Sequence, residues 1–173
     1  KKKLKYGLEI ISARKNLVGV NTHMANKIVQ HGLENNLIKE LQNNDLIKPE
    51  VFFNKETRFD FLLEKNNQKI FIEVKNVTLF RNKNTAEFPD AVTTRGSKHL
   101  LTLIEAIKKG YKTYLLFLVQ IQNMERFKIA KDIDDEYYKN YHLAKKAGVN
   151  FLAYRCKISD KKIYIEKKIK IIS

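Results

Sequence analysis

Apolar residues recur along this chain with two different periods, and the changes of period predict the order of its elements. The stretch "LKYGLEIISARKNLVGVNT" alternates between apolar and polar positions, which predicts two strands that turn near Arg14 to Asn16. Residues 21–41 carry apolar side chains at roughly helical spacing, which predicts a helix capped by Asn21 or Thr22. The chain is therefore predicted to open with a strand pair and a helix.

The middle of the chain changes to a strand period. The stretches "PEVFFN", "TRFDFLLE" and "KIFIEVKNVTL" predict three successive strands with short turns, and "FRNKNTAEFPDAVT" then predicts a loop. An amphipathic helix is predicted from Thr93 or Thr94 to Lys109, with Gly110 as the residue that ends it. The almost wholly apolar "KTYLLFLVQI" predicts a strand deep inside a sheet.

The last third of the chain predicts one more helix and closing strands. "DIDDEYYKNYHLAKKAG" predicts a helix closed by Gly148, and "VNFLAYRCKIS" and "KIYIEKKIKII" predict two strands. The resulting order is helix, three strands, helix, strand, helix, strand. With 173 residues, the chain is long enough for one ordinary domain, and this order predicts an α/β domain on a mixed central sheet.

The charge of the chain indicates a polyanionic partner. Lys and Arg total 34 against 19 Asp and Glu, which gives a formal net charge of +15. Nucleic acid is the first candidate for such a partner, and an anionic membrane surface is the second. A proteome rich in lysine throughout would produce the same excess without any specific partner.

Several classes of protein are disfavoured by the composition. Cys156 is the only cysteine, which excludes an internal disulfide or a thiolate metal site, and the four histidines show no metal-ligand spacing. No apolar run approaches the length of a membrane span, and the start "KKKLKYG" lacks the apolar core of a signal peptide. We expect a cytoplasmic protein. Since the sequence begins without Met inside a predicted strand, we also expect a fragment.

Charged residues interrupt the apolar stretch "FIEVKNVTL", and each would be costly to bury alone. If the preceding turn centres on Asn66 and Asn67, the antiparallel register places Asp60 directly opposite Glu73. Lys75 shares the face of Glu73 because side chains alternate along a strand. Three charged groups are thus predicted to meet on one patch.

The apolar neighbours of this patch predict a half-buried cleft. Leu62 and Phe71 lie on the charged face. The opposite faces of the two strands are predicted to form a core surface from Phe59, Phe61, Leu63, Ile70, Ile72 and Val74.

Paired carboxylates and an amine favour metal-dependent chemistry. Two carboxylates placed opposite each other repel, and a divalent cation such as Mg²⁺ removes that penalty. A metal held there can activate water and stabilise a leaving oxygen, while Lys75 orients water or neutralises charge in the transition state. The alternative is a surface hairpin with ordinary salt bridges, including one between Glu73 and Lys75.

The order of the elements supports the metal site. This order resembles the core of the PD-(D/E)xK nuclease superfamily. It consists of a helix, a strand, a strand bearing Asp60, a strand bearing the ExK sequence, a helix and a strand. In this chain "RFDFLL" and "FIEVK" supply the motif, with 12 residues between Asp60 and Glu73.

A closer resemblance covers about residues 6–158. The stretches "VNTHMANKIV", "ETRFDFLL", "IEVKNVTL", "FPDAVTTRGSKHLLTL" and "GYKTYLLFLVQ" occur in the order found in the sugar fermentation stimulation protein A family. The resemblance implies a PD-(D/E)xK domain preceded by an OB-like domain, DNA binding, and catalytic roles for Asp60, Glu73 and Lys75. The family's name refers to a regulatory phenotype in sugar metabolism.

The beginning of this chain departs from the family. We expect this chain to lack most of the OB-like domain, and residues 1–22 are interpreted as its remnant or as a linker. Residues 23–173 are interpreted as the nuclease-like domain.

Basic residues near the predicted carboxylates are candidate DNA contacts. Arg95, Lys98 and His99 fall in the first turn of the helix after the ExK strand, where backbone amides favour anions. A capped helix start whose cations face solvent is the alternative, and His99 is equally consistent with a packed core histidine. Arg58, two residues from Asp60, either orients that carboxylate or contacts phosphate.

A further metal ligand is expected from a third carboxylate. The superfamily often takes one carboxylate from the first core helix, which favours Glu34, although a helical Glu is usually solvent-exposed. Glu50 is the other candidate, and its alternative is a contact with Arg58.

Together these observations predict a restriction-endonuclease-like α/β fold with helices flanking a mixed sheet, and a DNA-binding nuclease that uses Mg²⁺ or Mn²⁺. The rival prediction is a DNA-binding transcriptional regulator that keeps the fold without catalysis and needs no metal. A scaffold or membrane-surface protein is a third. Since superfamily nucleases often dimerise to cut both strands, a homodimer is expected too, although the sequence shows no interface signature.

Overall fold

The computed structural model describes residues 6–172, which form a mixed α/β domain. The predictions for residues 1–5 and 173 lie outside this part of the chain. Its strands are β1 (Ile10–Ala13), β2 (Asn16–Gly19), β3 (Leu46–Phe52), β4 (Arg58–Lys65), β5 (Gln68–Val77), β6 (Leu79–Asn82), β7 (Thr85–Phe88), β8 (Lys112–Val119), β9 (Arg126–Ile129), β10 (Asn150–Ile158), β11 (Ile163–Lys168) and β12 (Lys170–Ile172). Its α-helices are α1 (Met24–Glu34), α2 (Thr94–Lys108) and α3 (Asp135–Lys146).

A six-stranded sheet in the order β11-β10-β8-β5-β4-β3 forms the centre of the domain. Strand β8 pairs in parallel with β5 and β10, and the outer pairs are antiparallel, which confirms the predicted mixed sheet. Apolar residues of α1 pack on one face, and those of α2 and α3 pack on the other. Both faces of β8 are therefore covered, which explains its nearly continuous apolar sequence.

The predicted loop over residues 80–93 is wrong in its first half. Strands β6 and β7 form a hairpin there and join β9 and β12 in a second, four-stranded sheet. Strand β7 pairs in parallel with β9, about forty residues further along the chain. These strands are only three or four residues long, so their sequences show no apolar period that would predict them.

Two other boundaries differ from the prediction. The first helix ends at Glu34 because Asn35 caps it and Asn36 takes a left-handed conformation with φ of 55°. A single 3₁₀ turn, Lys39–Leu41, follows. The predicted last strand is divided at Ile169, whose amide donates to the carbonyl of Ala153, and its second part joins the other sheet.

The strand pair near the start is confirmed and packs on the domain. Strands β1 and β2 are antiparallel and turn at Arg14 and Lys15, which have φ of 48° and 65°. Val18 is buried in the main core, and the amide of Gly19 donates to the carbonyl of Gln120. In residues 6–172 no helix combines the length and apolar character needed to cross a bilayer.

Candidate active site

The turn between β4 and β5 sets the predicted register. Asn66 and Asn67 occupy the turn with positive φ, and Leu63 pairs with Ile70. The ladder ends at the pair Phe61–Ile72, one position before Asp60 would pair with Glu73. The two strands thus bring both carboxylates to the place where their backbone pairing stops.

The side chain of Asp60 accepts a hydrogen bond from a backbone amide of β5 where the ladder ends. Its Oδ2 accepts from the amide of Val74 at 2.7 Å, and its Oδ1 accepts from Nδ2 of Asn26, on α1, at 2.7 Å. Two donors therefore fix the orientation of this half-buried carboxylate.

The predicted position of Phe59 is wrong. Its ring packs against Phe71, with 5.1 Å between centroids, in the core cluster that contains residues of α2. The ladder between β3 and β4 skips Asp60, and Glu50 in β3 has a φ of 54°. Phe59 and Phe61, two residues apart, therefore lie in different core clusters on opposite faces of the sheet, and the regular alternation is broken at Asp60.

Glu73 lies deeper, with only 3% of its side chain exposed. Its Oε1 accepts a hydrogen bond from Nζ of Lys75 at 2.8 Å and contacts Nδ1 of His99 on α2. Because a carboxylate oxygen only accepts, we assign a proton to Nδ1 of His99, and the 3.2 Å approach of Lys75 to that nitrogen is then not a hydrogen bond. The candidate core histidine is thus a direct partner of the predicted catalytic glutamate.

The two carboxylates have opposite electrostatic environments. Burial, followed by the charge of Glu73, raises the pKa of Asp60, and the bonds from Val74 and Asn26 offset only part of this shift. Burial also disfavours the charge on Glu73, but the bond from His99 and the charge of Lys75 bring the pKa of this carboxyl below its ordinary value. Asp60 is therefore the less compensated charge of the pair.

The donor set suits a hard divalent cation. Oε2 of Glu73 is buried without a hydrogen-bond partner, and Asp60 keeps free lone pairs on oxygens that each accept one bond. Residues 6–172 contain no group of three or more His, Cys, Asp and Glu side chains that could hold a metal. A cation such as Mg²⁺, which usually keeps several waters, does not need a third protein carboxylate.

Seven of the nine candidate site residues line one cleft of about 620 Å³, and Glu34 and Glu50 do not. The carboxylates and the amine of this cleft come from β4 and β5, and the first two turns of α2 form another wall. The seven are Arg58, Asp60, Glu73, Lys75, Arg95, Lys98 and His99.

The cations of this cleft have different partners. Arg58 forms a salt bridge of 3.1 Å with Glu50, the contact considered for Glu50, and Lys98 forms one of 3.0 Å with Glu56. Nε of Arg95 approaches Nε2 of His99 at 3.5 Å. The two salt bridges are solvent-exposed and therefore weak, so a phosphate could replace either carboxylate.

Glu34 does not join the cleft. It is exposed on α1, accepts a hydrogen bond from Gln30 at 2.8 Å and is not among the residues that line the cleft with Asp60 and Glu73. The contribution of α1 is Asn26, about 12 Å nearer the start of the helix. Asn26 lies one helical turn before buried Val29, so helical spacing places this polar residue on the buried side of α1. That position was the signal in the sequence that could have identified Asn26 as a site residue.

Comparisons with known proteins agree on one family. A family model described as "Sugar fermentation stimulation protein RE domain" matches residues 23–162. A sugar fermentation stimulation protein homolog of Pelagibacter ubique is 78% identical over 173 residues, covering 100% of this chain and 75% of that protein. The homolog of Bartonella quintana is 37% identical over 172 residues, covering 99% of this chain and 74% of that protein.

A solved structure has the same fold. Pyrococcus furiosus SfsA in complex with Ca²⁺ superposes with a TM-score of 0.90 at 25% identity. The match covers 100% of this chain and 74% of that one.

Proposed function

This chain belongs to the sugar fermentation stimulation protein family, and we propose that its cleft is a PD-(D/E)xK nuclease site that hydrolyses phosphodiester bonds of DNA. The proposal includes a restriction-endonuclease-like fold for residues 23–173. Residues 1–22 are then a linker or a remnant of an OB-like domain. A cytoplasmic location, a homodimer and a link to the regulation of sugar metabolism remain predictions.

One observation carries the proposal. Asp60 on β4 and Glu73 on β5 line the same cleft, close enough for the charge of Glu73 to raise the pKa of Asp60. An arrangement that costs electrostatic energy is expected where a cation is bound. The unpartnered Oε2 of Glu73 gives such a cation an oxygen ligand.

The cofactor is proposed to be Mg²⁺ or Mn²⁺. The solved relative binds Ca²⁺, which prefers the same hard oxygen ligands, and Asp60 and Glu73 would supply them here. When bound, such an ion would acidify water and neutralise charge on a phosphate oxygen.

Residues in the cleft and beside it have the remaining roles. Asn26 and the amide of Val74 hold Asp60, while His99 holds Glu73 through Oε1. Lys75, 13% exposed and 2.8 Å from Glu73, is placed to orient water or to stabilise negative charge on the phosphate. Arg95 and the first amides of α2 would contact a DNA phosphate.

A cleavage assay with labelled DNA and Mn²⁺ tests this function. We expect cleavage by the wild type and at least ~100-fold slower cleavage by Asp60→Ala and Glu73→Ala. Glu34→Ala is the matched control, because this exposed carboxylate lies outside the cleft, and it should cleave at the wild-type rate. Equal cleavage by the wild type and both cleft variants would show that the assigned site is wrong.

The rival function is a DNA-binding regulator without catalysis. It is favoured by one observation, namely that Lys75 forms a salt bridge with Glu73 and His99 contacts the same oxygen, so this carboxylate already has protein partners. Calorimetric titration with Mn²⁺ separates the two functions. Heat that disappears in Asp60→Ala and Glu73→Ala supports the metal site, whereas heat independent of both residues supports the regulator.

A further inference from the structure

We propose that Phe52 stacks on an unpaired base at the mouth of the cleft, so that the substrate is a single-stranded or frayed nucleic acid. The inference rests on the proposed function and names its substrate class. The ring of Phe52 is not packed in the core.

Phe52 is 68% exposed, and it is the only one of the ten phenylalanines that is mostly exposed. A single exposed apolar residue is common on protein surfaces and is not informative by itself. This one, however, lines the same cleft as Asp60 and Glu73. It is the last residue of β3, so its ring is carried by the central sheet.

A cation accompanies the ring. The guanidinium of Arg58 lies 5.8 Å from the centroid of Phe52, within the range of a cation–π contact. Surfaces that bind single strands combine aromatic platforms with cations that follow the phosphates. Because the salt bridge of Arg58 with Glu50 is exposed, Arg58 can exchange that carboxylate for a phosphate at little cost.

The ring lies near the proposed reaction. Phe52 pairs directly with Arg58, and Arg58 is two residues, or about 7 Å, from Asp60 along β4. Neighbouring bases of a stacked strand are about 3.4 Å apart. If a phosphate of a nucleic-acid strand reaches the carboxylates, a nearby base of the same strand would therefore reach Phe52.

A stacking contact with Phe52 favours single-stranded nucleic acid over a duplex. In a duplex each base covers the faces of its neighbours, so an aromatic side chain can reach a base face only after unstacking, which costs free energy. A single strand or a frayed end presents that face without this cost. Stacking accepts any base, so we expect little sequence preference at this position.

The chain contains no tryptophan, which allows a direct test. The variant Phe52→Trp carries one indole at the proposed contact, and its emission is measured in metal-free buffer, where no cleavage takes place. We expect quenching by a single-stranded oligonucleotide, and little change with a duplex or with an abasic oligonucleotide of equal length. Leu143→Trp is the control, since Leu143 is 51% exposed outside the cleft, and its emission should not change.

A second measurement uses affinity. Phe52→Ala should bind the single strand about 10-fold to 100-fold more weakly, while Phe52→Tyr keeps the wild-type affinity. The inference is overturned if Phe52→Trp binds the single strand, by anisotropy, without a change in emission, or if the abasic oligonucleotide quenches equally. It is also overturned if the wild type binds no single strand.

The two proposals fail separately. Cleavage that depends on Asp60 and Glu73, together with unchanged indole emission, would retain the nuclease and reject the stacking contact. Base-dependent quenching without cleavage or metal binding would retain a single-strand binding surface and reject the nuclease.

Discussion

The two carboxylates of the candidate site differ in how well their partners compensate the burial of their charge. Glu73 is 3% exposed but contacts Lys75 and His99, so its burial is compensated by cationic and hydrogen-bonding partners. Asp60 has only neutral donors, the Asn26 side chain and the amide of Val74. Without a cation, the site therefore destabilises the fold mainly through Asp60.

Replacing Asp60 by Asn should stabilise the metal-free protein. We expect the free energy of unfolding at neutral pH to rise by about 0.5–2 kcal/mol, because Asn removes the charge, its oxygen still accepts from the amide of Val74, and its NH2 group donates to Asn26 once the Asn26 amide turns its oxygen towards it. Burial and Glu73 raise the pKa of Asp60 in the folded state, so folding favours its protonated form. The wild type therefore loses stability relative to the variant as the pH rises from the ordinary Asp pKa of about 3.9 through the raised value.

Urea unfolding of both proteins between acidic and neutral pH measures this difference. Asp160→Asn, at an exposed carboxylate in a turn, is the control and should shift stability little at any pH. A difference for Asp60→Asn that is constant with pH, or a loss of stability, contradicts the electrostatic explanation.

Elements were predictable from sequence where local signals agreed. Strand β8 was predictable from its continuous apolar run, helices α2 and α3 were predictable from their terminal glycines, and the register of β4 and β5 up to Phe61 followed from their turn. The hairpin β6–β7 was missed because strands of four residues depend on partners distant in sequence. The role of Asn26 and the direction of Phe59 follow from helix docking and a ladder irregularity, which are tertiary features without a local pattern.

The helix that forms one wall of the cleft depends on its N-cap. Oγ1 of Thr93 accepts from the amide of Gly96 at 3.0 Å. We expect Thr93→Ala to lower the free energy of unfolding by about 1 kcal/mol, because this amide loses its acceptor, whereas Thr93→Ser keeps the acceptor. Urea unfolding measures the change, and equal losses in the two variants would assign it to the methyl group of Thr93 instead of the cap.

Positive charge on the whole molecule is not confined to the candidate cleft. The tips of the β1–β2 and β6–β7 hairpins line a second cleft of about 370 Å³, to which Arg14, Lys15 and Lys83 contribute. A net charge of +15 would attract nucleic acid to either surface. Net charge therefore predicts binding without indicating where the strand lies, and the two clefts must be distinguished by single cations.

The salt dependence of binding makes that distinction. Each phosphate contact with a single strand contributes about 0.7 to the slope of log affinity against log salt, because a bound counterion is released. If the strand lies in the carboxylate cleft, Arg95→Ala should reduce the steepness of the slope by about that amount, and Lys83→Ala should leave it unchanged. Fluorescence anisotropy at several salt concentrations measures both slopes. The opposite result, with the loss in Lys83→Ala alone, would place the strand at the hairpin tips and separate nucleic-acid binding from the carboxylates.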